Sequence, residues 1–90
     1  MQRIERELNV LNKLGLHARS AATIVKELSK FDSQVVLTKD GKSADGKSIL
    51  SIMTLDCPMG SRLNAAITGG DAEEAMEALS KIFANKFGEE

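Results

Sequence analysis

An α+β two-layer sandwich is the fold class this sequence predicts, and three observations carry the prediction. Its strand-like stretches alternate apolar and polar residues rather than running apolar throughout, which fits a sheet with one solvated face and one face covered by helices. Two longer stretches instead repeat their apolar residues at helical spacing. The length, 90 residues, suits one small domain spanning 1–90 with one thin core of two layers.

The elements follow in chain order. Residues 3–11 place Ile4, Leu8 and Val10 on one side and Glu5, Glu7 and Asn9 on the other, which is strand periodicity. Residues 18–31 put Ala21, Ile24, Val25, Leu28 and Phe31 on one helical face. "SQVVLT" is a β-branched run that meets Asp40-Gly41, a two-residue hairpin signal, and a short strand returns through Lys42 to Ala44. Ser48 precedes "ILSIMTL", a short helix punctuated by Cys57-Pro58 and Met59-Gly60. "SRLNAAIT" alternates again and stops at Gly69-Gly70. Asp71 with Glu74 reads as an N-cap and capping-box pair. The last helix presents Ala72, Ala75, Met76, Leu79, Ile82 and Phe83, and Gly88 marks its end. The resulting order is β-α-β-β-α-β-α, without linkers or repeats.

Composition excludes several function classes. A net charge of −1, with three Phe and neither Trp nor Tyr, gives no basis for nucleic-acid binding. The start "MQRIERELNV" is charged and alternating, unlike a signal peptide or a membrane span, so a cytoplasmic protein without membrane insertion is expected. Cys57 is the single cysteine; it reads as a small structural hydrophobe, and no paired spacing suggests a metal.

"GKSADGKSIL" matches the phosphate-cradling pattern G-x-x-x-x-G-K-[ST] through Gly41, Gly46, Lys47 and Ser48. The pattern works only between a buried parallel strand and a helix of several turns. Here the Asp-Gly hairpin consumes Gly41, and the following helix is too short before Cys57-Pro58. A nucleotide site is therefore not expected.

His17 is the more informative residue. It is the only histidine, and it stands where a Gly-containing loop gives way to the first helix. The first helical amides, those of Ala18, Arg19 and Ser20, lack intrahelical partners and carry partial positive charge, so a phosphate is welcome there. The same field disfavours imidazolium and favours a neutral, nucleophilic ring. Arg19 can offer a guanidinium to phosphate oxygens.

At these residues the chain resembles the HPr family, the histidine-containing phosphocarriers of the bacterial phosphotransferase system. "GLHARSAA", followed at the family's spacing by "GKSIL", carries the resemblance, which extends over essentially the whole chain. It implies a four-stranded antiparallel sheet with three helices on one face. It also implies a phosphocarrier rather than an enzyme, without cofactors. Phosphate would pass from Enzyme I to the δ1 nitrogen of His17, with Arg19 beside it, and on to sugar-specific Enzyme IIA domains or regulatory acceptors. The resemblance places a regulatory serine at Ser48, the target of a kinase/phosphorylase in many bacteria. It places a partner-docking patch at Ala22, Ile49, Leu50 and Met53, on a protein acting as a monomer. From the residues alone Ser48 is an N-cap, and Ile52 is expected inward with at least two of Ile49, Leu50 and Met53 exposed.

Ser20 departs from the family, which has proline there. Proline suits a first helical turn and lacks an N–H. Serine restores that donor and brings a hydroxyl, and both are expected near the phosphate, holding it more tightly. Two other functions compete with the carrier reading. One is a regulatory HPr-like module, of the nitrogen-related branch or modified at Ser48, that acts by docking. The other is a small-molecule-binding regulatory domain, which explains the topology but not the His17-Ala18-Arg19 arrangement.

Overall fold

Along Gln34–Lys39, Val35 and Leu37 are buried while Val36 faces solvent, the period-two pattern of a strand with one wet face. The computed structural model, which describes residues 2–89, orders the chain as β1 (Gln2–Asn9), α1 (Ala18–Leu28), β2 (Gln34–Lys39), β3 (Lys42–Asp45), α2 (Ile49–Met53), β4 (Arg62–Gly69) and α3 (Ala72–Ala84), followed by a 3₁₀ turn at Lys86–Gly88. The sheet order is β1-β4-β2-β3, with every neighbouring pair antiparallel. β4 thus lies between β1 and β2, which run parallel to each other, and α1 makes the crossover between them. This is the predicted α+β sandwich.

The registers gather the apolar residues into one layer: Ile4 and Val35 both sit opposite Ile67, and Leu37 lies opposite Ala65 on one side and Ala44 on the other. Val10, Ile24, Leu28, Leu37, Ile52, Ile67, Met76, Leu79 and Phe83 form the centre of the core. β1 contributes less than its alternation suggests. Arg6 lies between Ile4 and Leu8 on the same side of the strand, and its guanidinium reaches α3, donating to Ser80 Oγ at 2.8 Å.

The Asp40-Gly41 hairpin is as expected. Both residues have positive φ (50° and 81°), which is the primed turn whose twist matches the flanking strands, and Thr38 Oγ1 bonds Ser43 Oγ at 2.9 Å across it. The same geometry dissolves the nucleotide pattern. Gly41 is a turn residue. A Cβ on Gly46 would lie 2.6 Å from Val35 Cγ1, so glycine is there to let the chain touch β2. The Lys47 ammonium donates to the Phe31 carbonyl.

Several boundaries differ from the sequence reading. β1 ends at Asn9, although Val10 still bonds backbone to Ser61 and Gly60. α1 ends at Leu28, where Ser29 turns its hydroxyl back onto the Val25 carbonyl and competes with the helix ladder. β3 runs one residue further, to Asp45. α3 ends at Ala84 rather than at Gly88, whose φ of 77° closes the separate 3₁₀ turn.

Asp71 occupies the N-cap position of α3 but does not cap it. Its carboxylate accepts from the amides of Asp32 (2.9 Å) and Ser33 (3.0 Å) and from the Ser33 hydroxyl. It therefore ties the α1–β2 connection to the start of α3. The Ser33 hydroxyl bond, followed by the Asp32 amide, holds the Asp71 carboxyl below its ordinary 3.8. The unfolded chain binds that proton more readily. The stabilisation is thus present above pH 3.8 and is lost as pH falls from there through the native value. Asp71→Asn is expected to lower the melting temperature at neutral pH and to shrink the further loss on acidification. Thermal melts between pH 7 and 3 check it.

Candidate functional site

The loop before α1 is set by contact with the α2–β4 connection. Gly15 has φ +70°, and a Cβ there would lie 2.3 Å from the Cys57 carbonyl oxygen. The adjoining Leu16 N–H donates to that same oxygen at 2.8 Å. Glycine is required on both counts, because no L side chain tolerates the conformation easily and none has room. Cys57 is buried, and that burial pushes its thiol pKa up. It is the structural residue the sequence suggested.

This loop delivers His17 to the N-cap of α1 with extended backbone, and its carbonyl accepts the first helical bond from the Ala21 amide at 2.8 Å. Its own N–H donates to Ser20 Oγ at 2.9 Å, one half of a capping box. Ser20 Oγ in turn lies 3.1 Å from the Gly15 carbonyl oxygen, to which it donates. Ser20 is fully buried. The expectation that its hydroxyl would lie beside a bound phosphate is corrected: it faces inward and braces the turn. The Ser20 backbone N–H is directed at the His17 side chain, the other half of the capping box.

The imidazole is 30% exposed, and its Nε2 lies 2.9 Å from Glu89 Oε2. Glu89 Oε1 accepts from Asn12 Nδ2 at 2.8 Å, and the same Asn12 nitrogen bonds the Gly15 carbonyl at 2.8 Å. Asn12 is completely buried, in the β1–α1 loop. The Asn12 hydrogen bond, then the His17 contact and the nearby charges of His17 and Arg19, hold the Glu89 carboxyl below the usual carboxylate range against partial burial.

Ala18 and Arg19 are exposed on the first turn, and a shallow open depression beside them is lined by Lys13, Leu14, Arg19, Phe87 and Glu89. Lys13 and Arg19 bring cations to the surroundings of His17, and Glu89 brings a carboxylate. Among the described residues no cluster of metal-binding side chains occurs, and no described helix is long and apolar enough to cross a membrane.

Ser48 caps α2 as expected, accepting from the Ser51 amide at 3.2 Å. Ile52 is fully buried, whereas Ile49, Leu50 and Met53 are all exposed, Leu50 most at 78%. α1 packs directly on α2, so half-buried Ala22 and the three exposed residues lie on adjacent elements. Asn12 and Glu89 were not singled out by sequence reasoning. They lie 77 positions apart, and neither falls in a motif or a periodic stretch that would announce them.

Ser20→Ala removes the acceptor for the His17 N–H in a buried setting. A loss of about 1 kcal/mol of stability is expected, read as a shifted denaturant midpoint at unchanged slope.

The comparisons with known proteins agree on one family. A family profile described as "PTS HPr component phosphorylation site" matches residues 4–85. The chain is 44% identical over 87 residues to a phosphocarrier protein HPr of Xylella fastidiosa (strain Temecula1), covering 97% of this chain and 98% of that one. It is 34% identical over 89 residues to a phosphocarrier protein NPr of Shewanella violacea, covering 99% and 98%. The crystal structure of HPr-C-His from Thermoanaerobacter tengcongensis superposes with a TM-score of 0.89 at 42% identity, covering 100% of this chain and 99% of that one.

Proposed function

This chain belongs to the HPr family of phosphocarriers, and from that premise we propose that His17 accepts a phosphoryl group on Nδ1 from Enzyme I and delivers it to sugar-specific Enzyme IIA domains or regulatory acceptors. The observation that carries the reading is the placement of His17: at the N-cap of α1, partly exposed, with Nε2 engaged by Glu89. In loading, the Nδ1 lone pair forms the bond to phosphorus as the bond between phosphorus and the donor's leaving atom breaks. In delivery, the acceptor attacks phosphorus and the P–N electrons return to Nδ1. The amides of Ala18, Arg19 and Ser20 and the Arg19 guanidinium stabilise the phosphoryl oxygens. The chain itself offers only this half-site, and each partner completes the reaction, which suits a transfer dominated by positioning and charge. The carrier works as a monomer in the cytoplasm.

His17→Ala is expected to abolish acid-labile labelling from phosphoenolpyruvate, magnesium and Enzyme I while leaving the melting temperature near wild type, since the ring is partly exposed and outside the core. Acid-labile phosphate retained on that variant contradicts the assignment.

Docking of partners is assigned to Ala22, Ile49, Leu50 and Met53, and regulation to Ser48. A second reading, a regulatory module controlled through Ser48, is favoured by one feature: the cap hydroxyl stands at the start of the helix that bears this exposed apolar patch. A phosphate there keeps an acceptor for the Ser51 amide and adds about two negative charges beside the patch. Ser48→Asp is expected to weaken binding of Enzyme I several-fold at low salt, with the effect shrinking as salt is added. Titration at two ionic strengths checks it, and unchanged affinity at low salt removes the patch from the docking surface.

A further inference from the structure

We propose that Glu89 is a positioning residue for phosphoryl transfer at His17, aimed at the ring by the buried amide of Asn12. The inference rests on the reading of His17 as acceptor and adds what holds and polarises its imidazole.

The chain end follows a determined path to this place. Phe87 is buried, and its ring meets Phe83 edge-on with centroids 4.8 Å apart. Lys86, Phe87 and Gly88 have φ of 55°, 57° and 77° in succession. Two consecutive non-glycine residues in the left-handed region are costly, and such a conformation persists only where surrounding contacts over-determine it. The contacts that do so are the Phe87 ring in the core and the carboxylate of Glu89 at the far side of the turn. Asn12 sits completely buried and spends its amide on the Gly15 carbonyl and Glu89 Oε1, while its own Oδ1 finds no partner among the described residues. A buried amide with an unsatisfied oxygen disfavours folding, and what it secures is the position of the Glu89 carboxylate. The side chain of Glu89 is only 11% exposed.

The chemistry follows from the 2.9 Å contact to Nε2. A carboxylate accepts and cannot donate, so it keeps the ring proton on Nε2 and the lone pair on Nδ1. When Nδ1 bonds phosphorus, Nε2 retains that proton and the ring acquires a unit positive charge. The N-terminus of α1 opposes such a charge, and the Glu89 carboxylate, at hydrogen-bond distance, offsets it. The interaction strengthens as the ring becomes cationic, so it favours the transition state and the loaded form over the resting neutral ring. On delivery the P–N electrons return to Nδ1, the ring charge disappears, and the proton is still on Nε2. No proton leaves the site during the cycle.

The test uses the full chain, phosphoenolpyruvate, magnesium and Enzyme I, with wild type, Glu89→Gln and Glu89→Ala. Glu89→Gln removes the charge and leaves one acceptor oxygen for the two donors, Asn12 Nδ2 and His17 Nε2. It is expected to lower kcat for loading about fivefold, with KM for the carrier unchanged. The loaded fraction at equilibrium is expected to fall in the same proportion. Glu89→Ala is expected to do at least as much, and in ¹H–¹⁵N spectra to lose the hydrogen-bonded Nε2 proton signal that wild type shows. Wild-type loading rates and equilibria in both variants, with His17 labelled in each, overturn the role of Glu89 and leave the carrier reading intact. Absence of label on His17 in wild type overturns the acceptor assignment, and this proposal with it.

Discussion

Everything at the functional end of this molecule depends on the approach of Gly15 to the Cys57 carbonyl. At that point the loop leaving β1 presses backbone against backbone, with φ of +70° and no space for a Cβ. Leu16 then bonds the same carbonyl, and the next residue is His17. The imidazole is placed by main chain held on main chain, which is stiffer than a side-chain contact could be. From there the order of events is local: His17 turns the chain into α1, and Ser20 accepts its N–H from inside the turn.

The rest of the fold serves this end by being thin. One sheet face is wet, so nearly all apolar burial comes from the other face and the helices across it. α2, five residues long, is too short to be stable as an isolated helix. It persists because Ile52 is buried, worth about 2 kcal/mol, and because Ser48 caps it. The cost of so small an anchor is that Ile49, Leu50 and Met53 remain outside. That exposed triplet stands on the helix that packs against the one bearing His17.

Much of this was legible in the sequence, and the reason is locality. Alternation marked β1 and β4, and a β-branched run marked β2. Asp40-Gly41 marked the hairpin because only such a pair adopts two positive φ angles easily. Ser48 and His17 marked helix starts because the unpaired amides there call for a partner. The errors came where a residue with good local chemistry was used at long range. Asp71 and Glu74 have the spacing of a capping box, yet the Asp71 carboxylate is taken by amides 38 and 39 positions earlier. Ser20 next to a presumed phosphate suggested a ligand, yet its hydroxyl completes a box with the backbone of His17. Gly88 looked like the end of α3, but the chain leaves the helix earlier so that Phe87 can enter the core. The Asn12–Glu89–His17 chain of contacts joins the two ends of the sequence, and no periodicity encodes a meeting of that kind.

The central claim is that the phosphoryl group resides on Nδ1 of His17 while Nε2 keeps its proton. Heteronuclear NMR of the loaded wild-type protein, carrying ¹⁵N in its single histidine, tests it most directly. The account predicts a ³¹P coupling to Nδ1 together with a proton-bearing Nε2. A phosphorus coupled to Nε2, or to neither ring nitrogen, would contradict it.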